Sequence, residues 1–129
     1  MIEAYPAKPV VEADVLGRCI DACQECAQSC IACADACLAE QELPTLVRCI
    51  RLNLDCADVC VATGNVLSRQ TAFESTLARA VVQACAEACR VCGEECEAHA
   101  EHMEHCRVCA ESCRSCEQLC IDILTALAA

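Results

Sequence analysis

Cysteines stand at positions 19, 23, 26, 30, 33 and 37, in steps of 4, 3, 4, 3 and 4. Residues three and four apart share one face of an α-helix, and this alternation is how a buried stripe of Leu, Ile or Val is ordinarily written. A half-buried strand would show alternate positions instead. The stretch from Arg18 to Cys37 is thus expected to be a helix whose core face consists of thiols. The pattern recurs three times. Cys49, Asn53, Cys56 and Cys60 form one stripe, and Cys85, Cys89, Cys92, Cys96 and His99 another. His102, Cys106, Cys109, Cys113, Cys116 and Cys120 form the last. The last two stripes are out of phase, because 96 to 99 to 102 repeats the short step, so a turn is expected between them.

Phase and punctuation divide a single domain, residues 1–129, into helices at approximately 11–41, 44–69, 72–99 and 103–127. Pro44 suits the first turn of the second. Thr71 followed by Glu74 reads as a capping box opening the third. Four helices of similar length on short turns imply an all-α, antiparallel up-down-up-down four-helix bundle with a Cys-lined core. In that topology Cys37, Cys49, Cys96 and Cys106 meet at one end, and Cys19, Cys60, Cys85 and Cys120 at the other. Leu16, Leu67, Leu77, Val81 and Leu124 then form an apolar plug beyond the second end. His99, His102, Met103 and His105 gather beyond the first. A second stripe on the first helix, Ile20, Ala27, Ile31, Ala34 and Leu38, is expected to flank the core and to suggest an oligomer interface.

The 18 cysteines among 129 residues fit either a secreted disulfide scaffold or a metal protein in a reducing compartment. The N-terminal residues lack the basic and apolar regions of a secretory signal, so a cytoplasmic protein is expected. No apolar run reaches the roughly 18–20 residues of a membrane span. A formal charge of −11 argues against nucleic acid and anionic membranes as partners. Helical neighbours hold their Cβ atoms about 5–6 Å apart, beyond the roughly 3.5–4.5 Å of a disulfide. Buried Cys also packs as a small hydrophobe, but that role does not call for thiols along four stripes.

Metal binding remains. Thiolates are soft ligands that select Cu(I), Zn(II) or iron–sulfur centres. A zinc bound by four thiolates carries a formal −2, and stacking several such sites would bury costly charge. A monovalent ion paired with one thiolate is neutral, which favours Cu(I), near one ion per Cys. Every cysteine in the four stripes is a candidate ligand. His99, His102 and His105 are candidate entrance ligands or residues of a solvated turn. Met103 is a candidate soft ligand or core filler. Asn53 either caps a site through its carbonyl oxygen or hydrogen-bonds within the bundle. Five CxxC pairs are steps within longer stripes and do not sit in the Gly-containing loops of zinc ribbons. No nucleophile–base pair stands out, so no enzyme activity is expected. The competing reading is a Zn(II)/Cd(II) or Cu(I) sequestration or chaperone module that hands metal to partners.

Together the CxxxC stripes, CIRLNLDCADVC (Cys49–Cys60) and CEAHAEHMEHCRVCAESC (Cys96–Cys113) resemble the cytosolic copper storage proteins, over essentially Arg18 to Cys120. The resemblance implies a homotetramer of four-helix bundles, each storing many Cu(I) ions by thiolate coordination along its axis. It also implies a His-bearing mouth where copper enters. Copper chaperones or copper-requiring enzymes are the further partners such a role suggests.

Overall fold

Cys and Ala are small, so helices faced with them approach closely and leave little room for anything but sulfur between them. The computed structural model, which describes residues 1–128, has four such helices among those residues: α1 (Ala13–Cys37), α2 (Val47–Ser68), α3 (Ser75–His99) and α4 (Glu104–Ala128). Each packs on its neighbour in sequence, and α1 closes the ring against α4. The helices alternate in direction, which gives the antiparallel up-down-up-down bundle. Where α3 meets α4, a Cβ on Gly93 would lie 3.3 Å from the Cys113 Cβ, so the missing side chain lets these two helices approach.

The core is the four stripes. All 18 cysteines are buried, none more than 2% exposed. Ala22, Ala27, Ala57 and Ala110 fill the spaces beside them. The base is sealed by Leu16, Leu67, Ala78, Val82 and Ile123, each at most 1% exposed. Two residues expected there lie elsewhere: Leu77 is 57% exposed, and Val81 is only half-buried. α3 presents Ala78 and Val82 because, at 3.6 residues per turn, the positions seven and three before Cys85 fall on the cysteine face while Leu77 falls well to its side. Leu124 packs against the core from its margin.

The start of α3 at Ser75 corrects the capping box. Ala72 adopts a left-handed backbone with φ 53°, which costs a residue bearing a Cβ about 1–2 kcal/mol. It turns the chain out of any helix at Thr71. The N-cap is Glu74, whose own carboxylate accepts from the Thr76 amide at 3.0 Å. Thr71 instead meets the N-terminal arm, its Oγ1 lying 3.3 Å from the Tyr5 hydroxyl. That arm folds across the base. The Val10 amide donates to Gln70 Oε1 at 3.1 Å, and Gln70 Nε2 donates to the Leu67 carbonyl at 2.9 Å.

At the other end α1 stops at Cys37, where Leu38, Ala39 and Glu40 donate to carbonyls three residues back and tighten the chain into turns. Pro44 lies in a 3-10 turn, Leu43–Leu46, that precedes α2. No described helix is long and apolar enough to cross a membrane.

Candidate metal centre

The 4–3 steps aim thiols at the bundle axis from all four helices, so sulfurs of different helices meet along it. Cys26 Sγ lies 4.0 Å from Cys56 Sγ and 3.9 Å from Cys113 Sγ. Cys56 is 3.8 Å from Cys89, and Cys60 is 3.8 Å from Cys85. Cys116 is 3.8 Å from Cys23, and Cys49 is 4.0 Å from Cys96. These separations belong to neighbouring free thiols. A thiolate-bound ion such as zinc sits about 2.3 Å from each sulfur, so a shared ion fits between such pairs with small side-chain adjustments.

Four-sulfur groups follow one another along the axis. Cys23, Cys85, Cys116 and Cys120 lie near the base. Cys26, Cys56, Cys60 and Cys89 come next, then Cys26, Cys30, Cys56 and Cys113. Cys30, Cys92, Cys109 and Cys113 lead to Cys33, Cys37, Cys49 and Cys106 at the far end. Within each group all sulfurs lie within 4.8 Å of one another. The three middle groups share members, Cys26 and Cys56 between the first two and Cys30 and Cys113 between the next two, so the centre there is a column and not a row of separate cages.

Asn53 interrupts the α2 stripe but not the column. Its Oδ1 accepts from the Cys92 and Cys109 thiols, each at 3.1 Å, and its Nδ2 donates to Cys49 Sγ at 3.5 Å. This fully buried amide therefore orients thiols of α2, α3 and α4 at once.

The mouth separates the three histidines. His105 is drawn into the column: its Nδ1 lies 3.3 Å from Cys33 Sγ and 3.7 Å from Cys106 Sγ. His99 is held by an acid of its own helix, its Nε2 lying 2.9 Å from Glu95 Oε2, and Glu95 also pairs with Arg48 at 3.3 Å. His102 is exposed, and Met103 is buried at 7% exposure, where the chain turns from α3 into α4. Two acidic residues at this end, Glu40 and Glu95, escaped the reading of the chain. Glu95 stands four residues before His99 and was legible in that spacing; Glu40 lies in a connection and carries no local signal.

Burial pushes the Cys37 thiol up to about 11. Hydrogen bonding from Cys109, with burial, raises Cys30 as well. Thiols raised in this way are neutral at pH 7, so a metal displaces protons as it binds. An unfolded thiol titrates near 8.5. The folded value is the higher, so the unfolded chain binds fewer protons between the two, and the stability contribution is lost as pH rises from about 8.5 to about 11. The melting temperature of the metal-free bundle is expected to hold below pH ~8 and to fall by several degrees by pH ~10, as followed by circular dichroism. A flat profile would contradict the raised, neutral state of the Cys37 thiol.

A family model described as copper storage protein matches residues 12–125. The chain belongs to the copper storage protein family. Among solved members, the Streptomyces lividans protein Ccsp loaded with 10 copper equivalents is 53% identical, with a TM-score of 0.93, over 96% of this chain and 95% of that one. A five-copper structure of the cytosolic copper storage protein of the same organism is 56% identical, with a TM-score of 0.86, over 87% of this chain and 93% of that one. The Cu(I)-bound copper storage protein BsCsp3 is 33% identical, with a TM-score of 0.75, over 85% of this chain and 98% of that one. No curated relative matches the chain. Among copper storage proteins, then, this chain presents an all-helical bundle whose interior sulfurs are grouped as soft-metal ligands.

Proposed function

We propose that this copper storage protein holds Cu(I) in the cytoplasm as thiolate-bound ions along the bundle axis, with all 18 cysteines as ligands. The observation that carries the reading is the run of four-sulfur groups from Cys120 to Cys37, the middle three of which share members. A run of this kind suits many bridging ions of low charge. It suits a few isolated Zn(II) or Cd(II) sites poorly, since each would leave surplus negative charge in a buried core. His105 is the entrance ligand through Nδ1. Met103 is a soft contact beside it, and Asn53 Oδ1 is an oxygen donor inside the column. His99, tied to Glu95, and His102, in solvent, guide ions toward the mouth. The role is storage without catalysis. Transfer to a copper chaperone or a copper-requiring enzyme proceeds at this end, where thiols lie nearest the surface.

Anaerobic Cu(I) titration against a competing chelator tests the proposal. Uptake near one ion per cysteine, with protons released in proportion, is expected. Saturation at one or two ions, or Zn(II) competing on equal terms, would instead favour the sequestration or chaperone role.

The chain also forms a homo-oligomer, a tetramer by family likeness. Its support is a row of exposed apolar side chains along the α1–α2 seam: Ile31 (54%) and Leu38 (59%) on α1, with Val47 (64%), Leu54 (45%) and Val61 (50%) on α2. The seven-residue intervals keep these on one outward face, while Ile20, Ala27 and Ala34 of the same α1 stripe are buried. Ile31→Glu with Leu54→Glu is expected to give monomers by light scattering, with the copper capacity of the parent. A monomeric parent would remove this assignment.

A further inference from the structure

We propose that Glu40 is a positioning residue for copper entry, fixing His105 in the tautomer and orientation that turn its Nδ1 toward the Cys33 thiol. The inference rests on the reading of His105 as the entrance ligand and adds the residue that makes it one.

His105 Nε2 lies 2.8 Å from Glu40 Oε2, and Nδ1 on the far side of the ring lies 3.3 Å from Cys33 Sγ. An ionised carboxylate only accepts hydrogen bonds, so the proton between Glu40 and the ring belongs to Nε2. In a neutral imidazole Nδ1 then carries the lone pair. That lone pair points at Cys33 and, at 3.7 Å, at Cys106. A carboxylate on the outer nitrogen of a metal-binding imidazole typically sets its tautomer and ring plane and makes it a better ligand.

The fold supplies this partner from far along the chain. Glu40 stands in the connection after α1, where its amide donates to the Cys37 carbonyl at 3.1 Å. His105 is the second residue of α4. Both side chains are partly exposed, at 33% and 26%, so the pair straddles solvent and column. His99 has a carboxylate too, but among the described residues no thiol hydrogen-bonds to it, and Glu95 is shared with Arg48. His105 alone of the three histidines is gripped on one side by an acid and on the other by the sulfurs.

The test compares Glu40→Ala, Glu40→Gln and Glu42→Ala with the parent chain, each folded and copper-free at the start. In the parent, ¹⁵N NMR is expected to show His105 protonated at Nε2, with a slowly exchanging imidazole proton. Glu40→Ala should lose that protected proton and take up its first Cu(I) equivalents about tenfold more slowly or worse. Glu40→Gln, whose amide oxygen still accepts from Nε2, should retain the proton and most of the rate. Glu42→Ala removes the same charge from the same connection and should behave as the parent does, which separates positioning from general attraction. The inference is overturned by a protected Nε2 proton that survives Glu40→Ala. It is equally overturned if that proton disappears while copper entry keeps its rate. His105→Ala loading at the parent rate would refute the entrance reading itself, and the NMR comparison, made without copper, keeps the two failures apart.

Discussion

Replacing Cys26, Cys56, Cys60 and Cys89 together with alanine is expected to lower copper capacity by about four ions at near one Cu(I) per thiolate, and to leave the bundle folded. These four come from α1, α2 and α3 and form one of the mutually adjacent groups. Cys26 and Cys56 also belong to the next group, with Cys30 and Cys113, so bridging across the gap is weakened and the loss can exceed the four sulfurs removed. Alanine is the right replacement, since a serine hydroxyl buried without a partner carries a penalty of its own. The stability cost of each small cavity is on the order of 1 kcal/mol, and a domain of this kind holds about 5–15 kcal/mol in total. Chelator-competed titration reads the capacity, and circular dichroism reads the fold. An unchanged capacity in a folded variant would show that the axis is not where copper is held.

Copper loading itself is expected to raise the melting temperature by tens of degrees. A ligand present at 1,000 times its dissociation constant stabilises the state that binds it by about 4 kcal/mol per site. Several such sites together exceed the whole stability of a metal-free domain. The unfolded chain carries the same thiols and binds copper as well, so the measured gain is the differential between the two states. In the unfolded chain the ligands must be gathered from four distant segments at an entropic cost. In the bundle they already stand 3.8–4.0 Å apart. Differential scanning calorimetry at increasing copper should show the transition climb with each increment and return when chelator strips the metal. Loaded and metal-free chains that melt within a few degrees of one another would mean that the column is not preorganised for its cargo.

The cysteine stripes were legible in the chain because helical periodicity is a local property, and a thiol every three or four residues can face only one way. The same holds for Asn53, which occupies a stripe position and is fully buried there. Leu77 and Thr71 depart from expectation for different reasons. The 3.6-residue turn carries the cysteine face back from Cys85 to Val82 and Ala78 and past Leu77. Thr71 is displaced by the turn that follows it. The left-handed turn at Ala72 delays α3 to Ser75, and nothing in the residue types at that point announces the delay. The N-terminal arm escaped notice because its contacts, such as Val10 to Gln70, join residues 60 apart.

By itself, then, the sequence determined the helices, the sulfur-lined axis, the soft monovalent character of its cargo and which end carries histidine. Each follows from spacing along one helix or from counting charge. Only the tertiary structure decided which histidine lies beside the sulfurs. His99, His102 and His105 look alike in CEAHAEHMEHC, yet one faces sulfur, one is tied to Glu95 of its own helix and one is left in water. That difference comes from the turn that brings Glu40 across the mouth from 65 residues away. Hydrogen bonds between such distant residues depend on how helix ends are set against one another, which no local pattern records.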